Sequence, residues 1–203
     1  MNTSLAKSAR LAWAALRMLL VLTVVTGLVY PLLVTGVGQA LFHDKANGSI
    51  VKVGGKAAGS KLIGQSWNIE NTGEPDPKWF QPRPSNSGYD PLATGSGQLS
   101  AGNPKLVAAV RAARKQVAAF NGVPESQVPA DAVTGSASAI DPDISPAYAD
   151  IQVKRVAEAN GLSVAQVRKL VKDHTSGRAL GFMGEPHVNV LDLNIALKAL
   201  ARR

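Results

Sequence analysis

The sequence predicts a single N-terminal transmembrane α-helix followed by an α+β (mixed α/β) extracytoplasmic domain with a long proline-rich loop. Three observations support this fold class. An uncharged, apolar run of 25 residues extends from Met18 to Phe42, strand-like segments follow it directly, and well-capped helical segments occupy the C-terminal half. Strands that precede helices along a chain are typical of an α+β domain.

The uncharged run is long enough to cross a bilayer. As a helix it would measure roughly 37 Å, against a hydrocarbon core of about 30 Å. Residues 1–17 contain Lys7, Arg10 and Arg17 but no acidic residue, and an excess of basic residues marks the cytoplasmic side. We therefore expect a cytoplasmic segment over 1–17, a transmembrane helix over 18–42 and an extracytoplasmic domain over 43–203.

A cleaved signal peptide is the alternative interpretation of this run, with Gly38 and Ala40 as small residues before a cleavage site. The apolar core of a signal peptide usually has only 7–15 residues. The greater length of this run favours a retained anchor in the bacterial inner membrane.

Small residues and a proline punctuate the predicted span. Pro31 removes one backbone hydrogen bond and predicts a kink. Thr23, Gly27, Gly36 and Gly38 would let a second helix approach closely. A helix that faces only lipid also tolerates glycine and proline, so both interpretations stay open.

The first part of the outer domain is predicted to contain strands and loop. Residues 49–53 and 60–65 are strand-like and flank a Gly54-Gly55 turn. Residues 71–104 hold six of the twelve prolines, and proline disfavours both helix and sheet interior. Aromatic residues at 79, 80 and 89 indicate that this loop is ordered, because disordered segments are poor in aromatics.

The second part is predicted to be mainly helical, from its capping residues and apolar spacing. Asn103-Pro104 and Ser145-Pro146 are typical helix starts, and Ser163 with Gln166 forms a capping box. We predict helices over 104–120, over 146–160 and from 164 onward, a strand over 188–191 and a helix over 194–200.

Few residues have the pattern of a catalytic or metal site. The chain has no cysteine, which excludes disulfides and thiolate chemistry. The three histidines, His43, His174 and His187, lack the spacing of metal ligands. A membrane-tethered envelope enzyme remains an alternative, and it would need Asp141 or Asp143 paired with His174 or His187. The sequence identifies no independent catalytic site.

The net charge of +8 raises nucleic acid as a partner. Residues 153–170 resemble a helix-turn-helix, with Arg168, Lys169 and Lys172 on or beside the second helix. However, residues 1–17 carry +3, residues 43–153 balance ten basic against ten acidic residues, and residues 154–203 carry +5. Residues 153–170 are predicted to lie on the extracytoplasmic side, away from nucleic acid. We therefore expect a helical hairpin that packs on the sheet and no nucleic-acid partner.

Six polar motifs follow one another behind the single span, and together they resemble one family over nearly the whole chain. They are ANGS at 46–49, GSKLIGQ at 59–65, FQPRPS at 80–85, VPADAVT at 128–134, DP at 141–142 with ISP at 144–146, and VNVL at 188–191 with LN at 193–194. The pattern is similar to the C subunit of bacterial Kdp-type potassium-transporting ATPases. Asp143 departs from it, since that family usually has histidine after the Asp-Pro pair.

The resemblance implies a place in an inner-membrane complex that imports K⁺ at the cost of ATP. In that family a channel-like subunit selects K⁺ and a P-type ATPase subunit hydrolyses ATP, so the complex handles both and this chain needs no cofactor of its own. The C subunit is implied to stabilise assembly and to act as a catalytic chaperone that raises the ATP affinity of the ATPase subunit. Its partners would be those two subunits and membrane lipid.

The resemblance also raises the question of direct nucleotide contact. ATP is cytoplasmic, and only residues 1–17 are predicted to lie there. We therefore expect coupling through the membrane helix or the channel-like partner, by a bias on a conformational equilibrium.

Two polar segments are the candidate partner contacts, although Asp, Pro and Ser also favour turns and helix caps for conformational reasons. The candidates are Arg83, Ser85 and Asn86 in the proline-rich loop, and Asp141, Asp143 and Ser145 in the later turn.

Overall fold

The computed structural model describes residues 3–97 and 99–202. Of the predicted cytoplasmic segment, Met1 and Asn2 lie outside the described residues. The chain divides into two compact units, with the boundary between Ser49 and Ile50.

The first unit is an almost continuous helix. It consists of α1 (Thr3–Val24), a π-helical turn (Val25–Val29) and α2 (Tyr30–Leu41), and the short α3 (His43–Ala46) follows. Within the described part of the chain, Ala6–Leu41 is the one helical stretch long and apolar enough to cross a membrane. The prediction of a single N-terminal apolar helix of membrane-spanning length is thereby confirmed.

The π-helical turn ends at Val29, two residues before Pro31. Proline has no N–H to donate to the carbonyl four residues earlier, and its ring crowds that carbonyl. The turn is widened here, and the Tyr30 N–H bonds the carbonyl of Val25, five residues back. Pro31 therefore accounts for a single-turn π-bulge within the α-helix.

The second unit begins with a two-stranded antiparallel hairpin, β1 (Ile50–Val53) and β2 (Lys56–Ser60). The predicted position of the second strand, 60–65, was wrong. Gly54 and Gly55 have φ of +59° and +80°, which suits a two-residue hairpin turn. Because that turn closes in two residues, Val53 pairs with Lys56 and the strand is complete before residue 61.

The stretch from β2 to the next helix consists of turns and extended chain in its described part. Its one β-bridge there joins Asn68 and Pro75. Phe80 from this stretch is fully buried, so the segment contributes to the core.

Three helices begin where their capping residues predicted, and the first two also end at the predicted glycines. The side chains of Asn103 and Ser145 cap α4 and α5, and Ser163 with Gln166 forms the capping box of α6. Gly122 and Gly161 end α4 and α5 with φ near +65°, the left-handed conformation that favours glycine. The bounds are α4 (Pro104–Asn121), α5 (Pro146–Asn160) and α6 (Val164–Asp173), with 3₁₀ turns at Glu125–Gln127 and Ala130–Ala132.

A small antiparallel sheet lies beside these helices, with strand order β3-β5-β4. Its strands are β3 (Asp143–Ile144), β4 (Thr175–Ser176) and β5 (His187–Asn189), and α7 (Val190–Ala201) follows. The predicted bounds of the last strand and helix were wrong. The Asn189 side chain accepts the Asp192 N–H at 3.2 Å, so it caps the helix and the strand ends there.

The core of the second unit forms between the helices, β5 and the buried Phe80. Helices α5 and α6 make a helical hairpin whose apolar faces join this core. The large apolar side chains that are fully buried in the core of the second unit are Phe80, Ile144, Val153, Val156, Val167, Val188, Leu193 and Leu197.

Candidate functional site

Arg83 joins the two polar segments that the sequence singled out. Its Nη1 donates to Asp141 Oδ2 at 2.9 Å, and its Nη2 donates to the carbonyls of Thr134 and Gly135 at 3.4 and 3.3 Å. Both charged side chains are about a quarter exposed, so the ion pair is only partly screened by water. The guanidinium therefore fastens the proline-rich segment to the segment before β3.

Ser85 strengthens the same junction. Its hydroxyl donates to the Ala139 carbonyl at 2.6 Å and accepts the Tyr89 N–H at 2.9 Å. The Tyr89 hydroxyl donates to the Arg83 carbonyl, and burial raises the pKa of that hydroxyl. Residues 83–89 thus form a closed turn fixed to residues 139–141.

Asn86 is exposed, unlike Arg83 and Ser85, the other two candidates in the loop. With Leu106 and Val110 it lines an open cleft of about 540 Å³ between the 84–99 stretch and α4. Of the three candidates in the loop, it has the most accessible side chain.

Asp143 lies at the edge strand β3 of the small sheet. Its Oδ1 accepts the Asn189 amide at 2.9 Å, and its Oδ2 lies 3.9 Å from His187 Nε2. Burial is the main cause that raises the pKa of this carboxyl, and the Asn189 hydrogen bond and the His187 charge oppose the shift.

Ser145 is the N-cap of α5, and its partner Asp131 was missed in the sequence. The Ser145 hydroxyl accepts the Tyr148 N–H at 3.0 Å and donates to Asp131 Oδ1 at 3.0 Å. The Ser145 N–H donates to Asp131 Oδ2 at 2.7 Å. Asp131 thus holds the start of α5, and its position within the 128–134 motif was the only signal for it.

The enzyme alternative needs an aspartate close to a histidine, and the structure brings one of the candidate pairs together. His187 approaches Asp143 at 3.9 Å, beyond the 2.6–3.2 Å of a proton-transferring hydrogen bond. His174 ends α6, and its Nδ1 lies 2.9 Å from the Leu170 carbonyl. Over residues 3–97 and 99–202, no group of three or more His, Asp or Glu could hold a metal ion.

The small residues of the membrane helix leave open surface in the isolated chain. Apart from the helix's own nearby backbone, a Cβ added at Gly27 or Gly36 would meet no atom within 4 Å, and one at Gly38 would meet only the Ala46 Cβ at 3.8 Å. Thr23 lies in α1 one turn before Gly27, and Pro31 is at the start of α2.

A buried polar network lies under the candidate site, and sequence reasoning missed it. The Asn194 side chain accepts the Phe80 N–H at 2.9 Å and donates to the Phe80 carbonyl at 3.0 Å. Gln152 makes the same pair of bonds to Gln81, at 2.7 and 3.1 Å. Two amide side chains thus replace the neighbouring strand that this extended segment lacks.

Arg155 completes the network one helical turn after Gln152. Its guanidinium donates to the Asn121 side chain at 2.9 Å and to the carbonyls of Pro77 and Trp79 at 2.6 and 3.0 Å. Burial lowers the pKa of Arg155 to about 10. In the sequence, this network is indicated by a polar pair, Gln152 and Arg155, spaced i, i+3 on the apolar face of a helix.

An apolar cavity of about 210 Å³ lies beside Asn194, which is one of its lining residues. Trp67 and Trp79 line it with ring centroids 5.3 Å apart, and Lys198 and Arg202 contribute its charged lining.

Comparisons with known proteins identify the family of this chain. The KdpC family, described as "K+-transporting ATPase, c chain", matches residues 12–199. The chain is 54% identical to the potassium-transporting ATPase KdpC subunit of Streptomyces avermitilis, over 98% of both chains. It is 48% identical to the Mycobacterium tuberculosis subunit of that name, over 92% of this chain and 96% of the relative.

A third relative matches from end to end. The potassium-transporting ATPase KdpC subunit of Kineococcus radiotolerans is 47% identical, over 99% of this chain and all of the relative. The predicted resemblance is therefore confirmed, and the chain belongs to the KdpC family, the c chain of K⁺-transporting ATPases.

Proposed function

We propose that this chain is the non-catalytic accessory subunit of an ATP-driven, high-affinity K⁺ import complex. It stabilises assembly and acts as a catalytic chaperone that raises the ATP affinity of the ATPase subunit. Its partners are a channel-like K⁺-translocating subunit, a P-type ATPase subunit and membrane lipid. The observation that carries the proposal is the family match over residues 12–199.

The proposed topology is single-pass in the bacterial inner membrane, with a cytoplasmic N-terminus and an extracytoplasmic domain. The helix Ala6–Leu41 supports one crossing, and Lys7, Arg10 and Arg17 support the orientation. In this topology the folded domain lies on the side of the membrane opposite to ATP.

Coupling to the nucleotide is therefore indirect in this proposal. The chain binds the ATP-competent conformation of the complex more tightly than the other conformation, through its helix and its outer domain. Such differential binding shifts the equilibrium without contact between the chain and ATP. ATP and K⁺ stay with the other subunits, and this chain binds no cofactor independently.

Linkage provides the test. If the chain raises ATP affinity by some factor, ATP must raise the affinity of the complex for the chain by the same factor. We expect the two factors to be equal, at a value of roughly 5–150-fold, the usual range for coupled sites. The measurements are the Kd of a non-hydrolysable ATP analogue with and without the chain, and the Kd of the chain with and without that analogue.

Two results would contradict the proposal. Equal nucleotide affinity with and without the chain would exclude the chaperone role. Thermal stabilisation of the purified full chain by the analogue alone would show direct binding and would exclude indirect coupling.

Orientation is tested separately by single-cysteine labelling, since the chain has no natural cysteine. An impermeant maleimide added to spheroplasts should label Leu92→Cys, whose natural side chain is 96% exposed. It should leave Ala6→Cys unlabelled until the cells are lysed. The reverse pattern would invert the proposed topology.

A further inference from the structure

The connection between β4 and β5 displays large apolar side chains to solvent. Leu180, Phe182 and Met183 are 82%, 72% and 52% exposed, within four consecutive residues. We call residues 180–183 the apolar tip. Clustered exposed apolar groups are typical of a contact surface rather than of a free loop.

The apolar tip has a defined backbone. Ala179 and Met183 exchange two backbone hydrogen bonds at 2.8 and 2.9 Å. Leu180 has φ of +53°, a conformation that residues with a side chain rarely adopt and that clusters at functional positions. At the base, Arg178 Nη2 lies 3.1 Å from Glu185 Oε2. The backbone that carries the side chains of the tip therefore has one defined geometry.

The charge pattern favours a protein partner over a bilayer. No residue between Arg178 and Glu185 is charged, and the Arg178 charge is paired with Glu185. Loops that bind anionic lipid usually carry unpaired basic residues next to their apolar groups. A pre-formed, uncharged apolar turn instead fits a complementary apolar pocket, where a rigid anchor pays little ordering entropy.

The apolar tip is also continuous with the candidate site. It projects from β5, whose first residue, His187, lies 3.9 Å from Asp143, and β5 pairs with β3. One small sheet therefore carries both the apolar tip and a predicted polar contact, which is the usual layout of an apolar anchor beside a polar rim.

We propose that the apolar tip inserts into an uncharged apolar pocket on another chain of the same K⁺-transporting ATPase complex. Phe182 and Leu180 are the anchors. This inference rests on the proposed function in so far as it requires that complex to form.

A fluorescent label at the tip tests the insertion. Met183→Cys carries an environment-sensitive label and leaves both anchors in place, and Leu92→Cys, on a different exposed loop, is the matched control. In the assembled complex we expect blue-shifted emission at position 183 and at least threefold weaker quenching by iodide than in the lone chain in vesicles. At position 92 we expect no difference.

Substitutions test the anchors. Phe182→Ala with Leu180→Gly removes both side chains, and glycine suits the φ of residue 180. We expect at least a tenfold loss of affinity for the rest of the complex, with an unchanged unfolding midpoint of the purified chain. Leu92→Ala should leave both quantities unchanged.

The other outcomes contradict the inference in distinguishable ways. If the complex assembles while position 183 stays open to iodide, the docking inference is wrong and the proposed function stands. Quenching at position 183 by spin-labelled lipid in vesicles of the lone chain would indicate a membrane contact instead. If the unaltered chain fails to co-purify with the other chains, both proposals are wrong.

Discussion

Arg83 and Asp141 form an ion pair of 2.9 Å across 58 positions of sequence. The pair connects two segments of the chain that contain neither helix nor strand at those positions. Since the same guanidinium also reaches two carbonyls, one side chain fixes the relative position of three loop segments. A surface for partner contact needs such fixation, because unordered loops must lose entropy on binding.

Arg83→Ala should destabilise the outer domain by about 1–3 kcal/mol, since it leaves Asp141 partly buried without its partner. It should also weaken recovery of the complex. Urea unfolding of the full chain in detergent, followed by the fluorescence of Trp67 and Trp79, measures the first effect. Lys61→Ala is the matched control, because Lys61 forms a more exposed pair with Asp192 and should cost less than about 1 kcal/mol. Equal losses for both variants would contradict the fixing role of Arg83.

Asn194→Ala should cost roughly 2–4 kcal/mol, because it leaves a buried N–H and a buried carbonyl of Phe80 without partners. The same urea unfolding measures it. Asn68→Ala is the control, since Asn68 donates to the Gly73 carbonyl on an exposed surface and should cost less than about 1 kcal/mol. A smaller loss of stability for Asn194→Ala than for Asn68→Ala would show that the two hydrogen bonds between Asn194 and Phe80 contribute little.

The sequence predicted the parts of this fold that local chemistry determines. Helices α4, α5 and α6 were correct because each has a side-chain cap that its own residues supply. The start of α7 was missed because its capping residue, Asn189, lies within an apolar run. That run also has the pattern of a strand. The position of β2 depends on the geometry of the Gly54-Gly55 turn, which composition does not specify.

The contacts of the candidate site could not be predicted, because they join residues far apart in sequence. Arg83 and Asp141 were both selected as polar residues in loops, yet no pattern indicated that they pair. The roles of Gln152 and Asn194 depend on which extended segment lies against their helices. Amphipathic spacing identifies the buried face of a helix but not its partner.

Asp143→Asn should stabilise the domain at pH 7, and the gain should shrink as the pH falls toward 3. Burial raises the pKa of Asp143 in the folded state, so the folded state binds more protons than the unfolded state between the ordinary and the raised pKa. The unfavourable contribution of this carboxylate is therefore complete above the raised value and absent below the ordinary one. Urea unfolding from pH 3 to 8 measures it.

Asp173 provides a control of opposite sign for that experiment. The hydrogen bond from Lys169 lowers the pKa of Asp173, so any stability it contributes is present at neutral pH and is lost as the pH falls through its lowered pKa. Asp173→Asn should not stabilise the domain at pH 7. The same sign for both variants would contradict the assignment of burial as the dominant cause at Asp143.

Gly27→Leu and Gly36→Leu should weaken assembly of the complex while the lone chain stays helical. Apart from the helix's own nearby backbone, a Cβ at either position meets no atom within 4 Å, so we attribute a loss to contact with another helix or with lipid. A leucine side chain that faces lipid is favourable. A loss in recovery of the complex would therefore indicate that a helix of another chain packs closely against the glycine. Val24→Leu enlarges a residue that is already bulky and serves as the control. Circular dichroism of each chain and co-purification with the other chains measure the two effects, and unchanged recovery for both glycine variants would identify an ordinary lipid-facing helix.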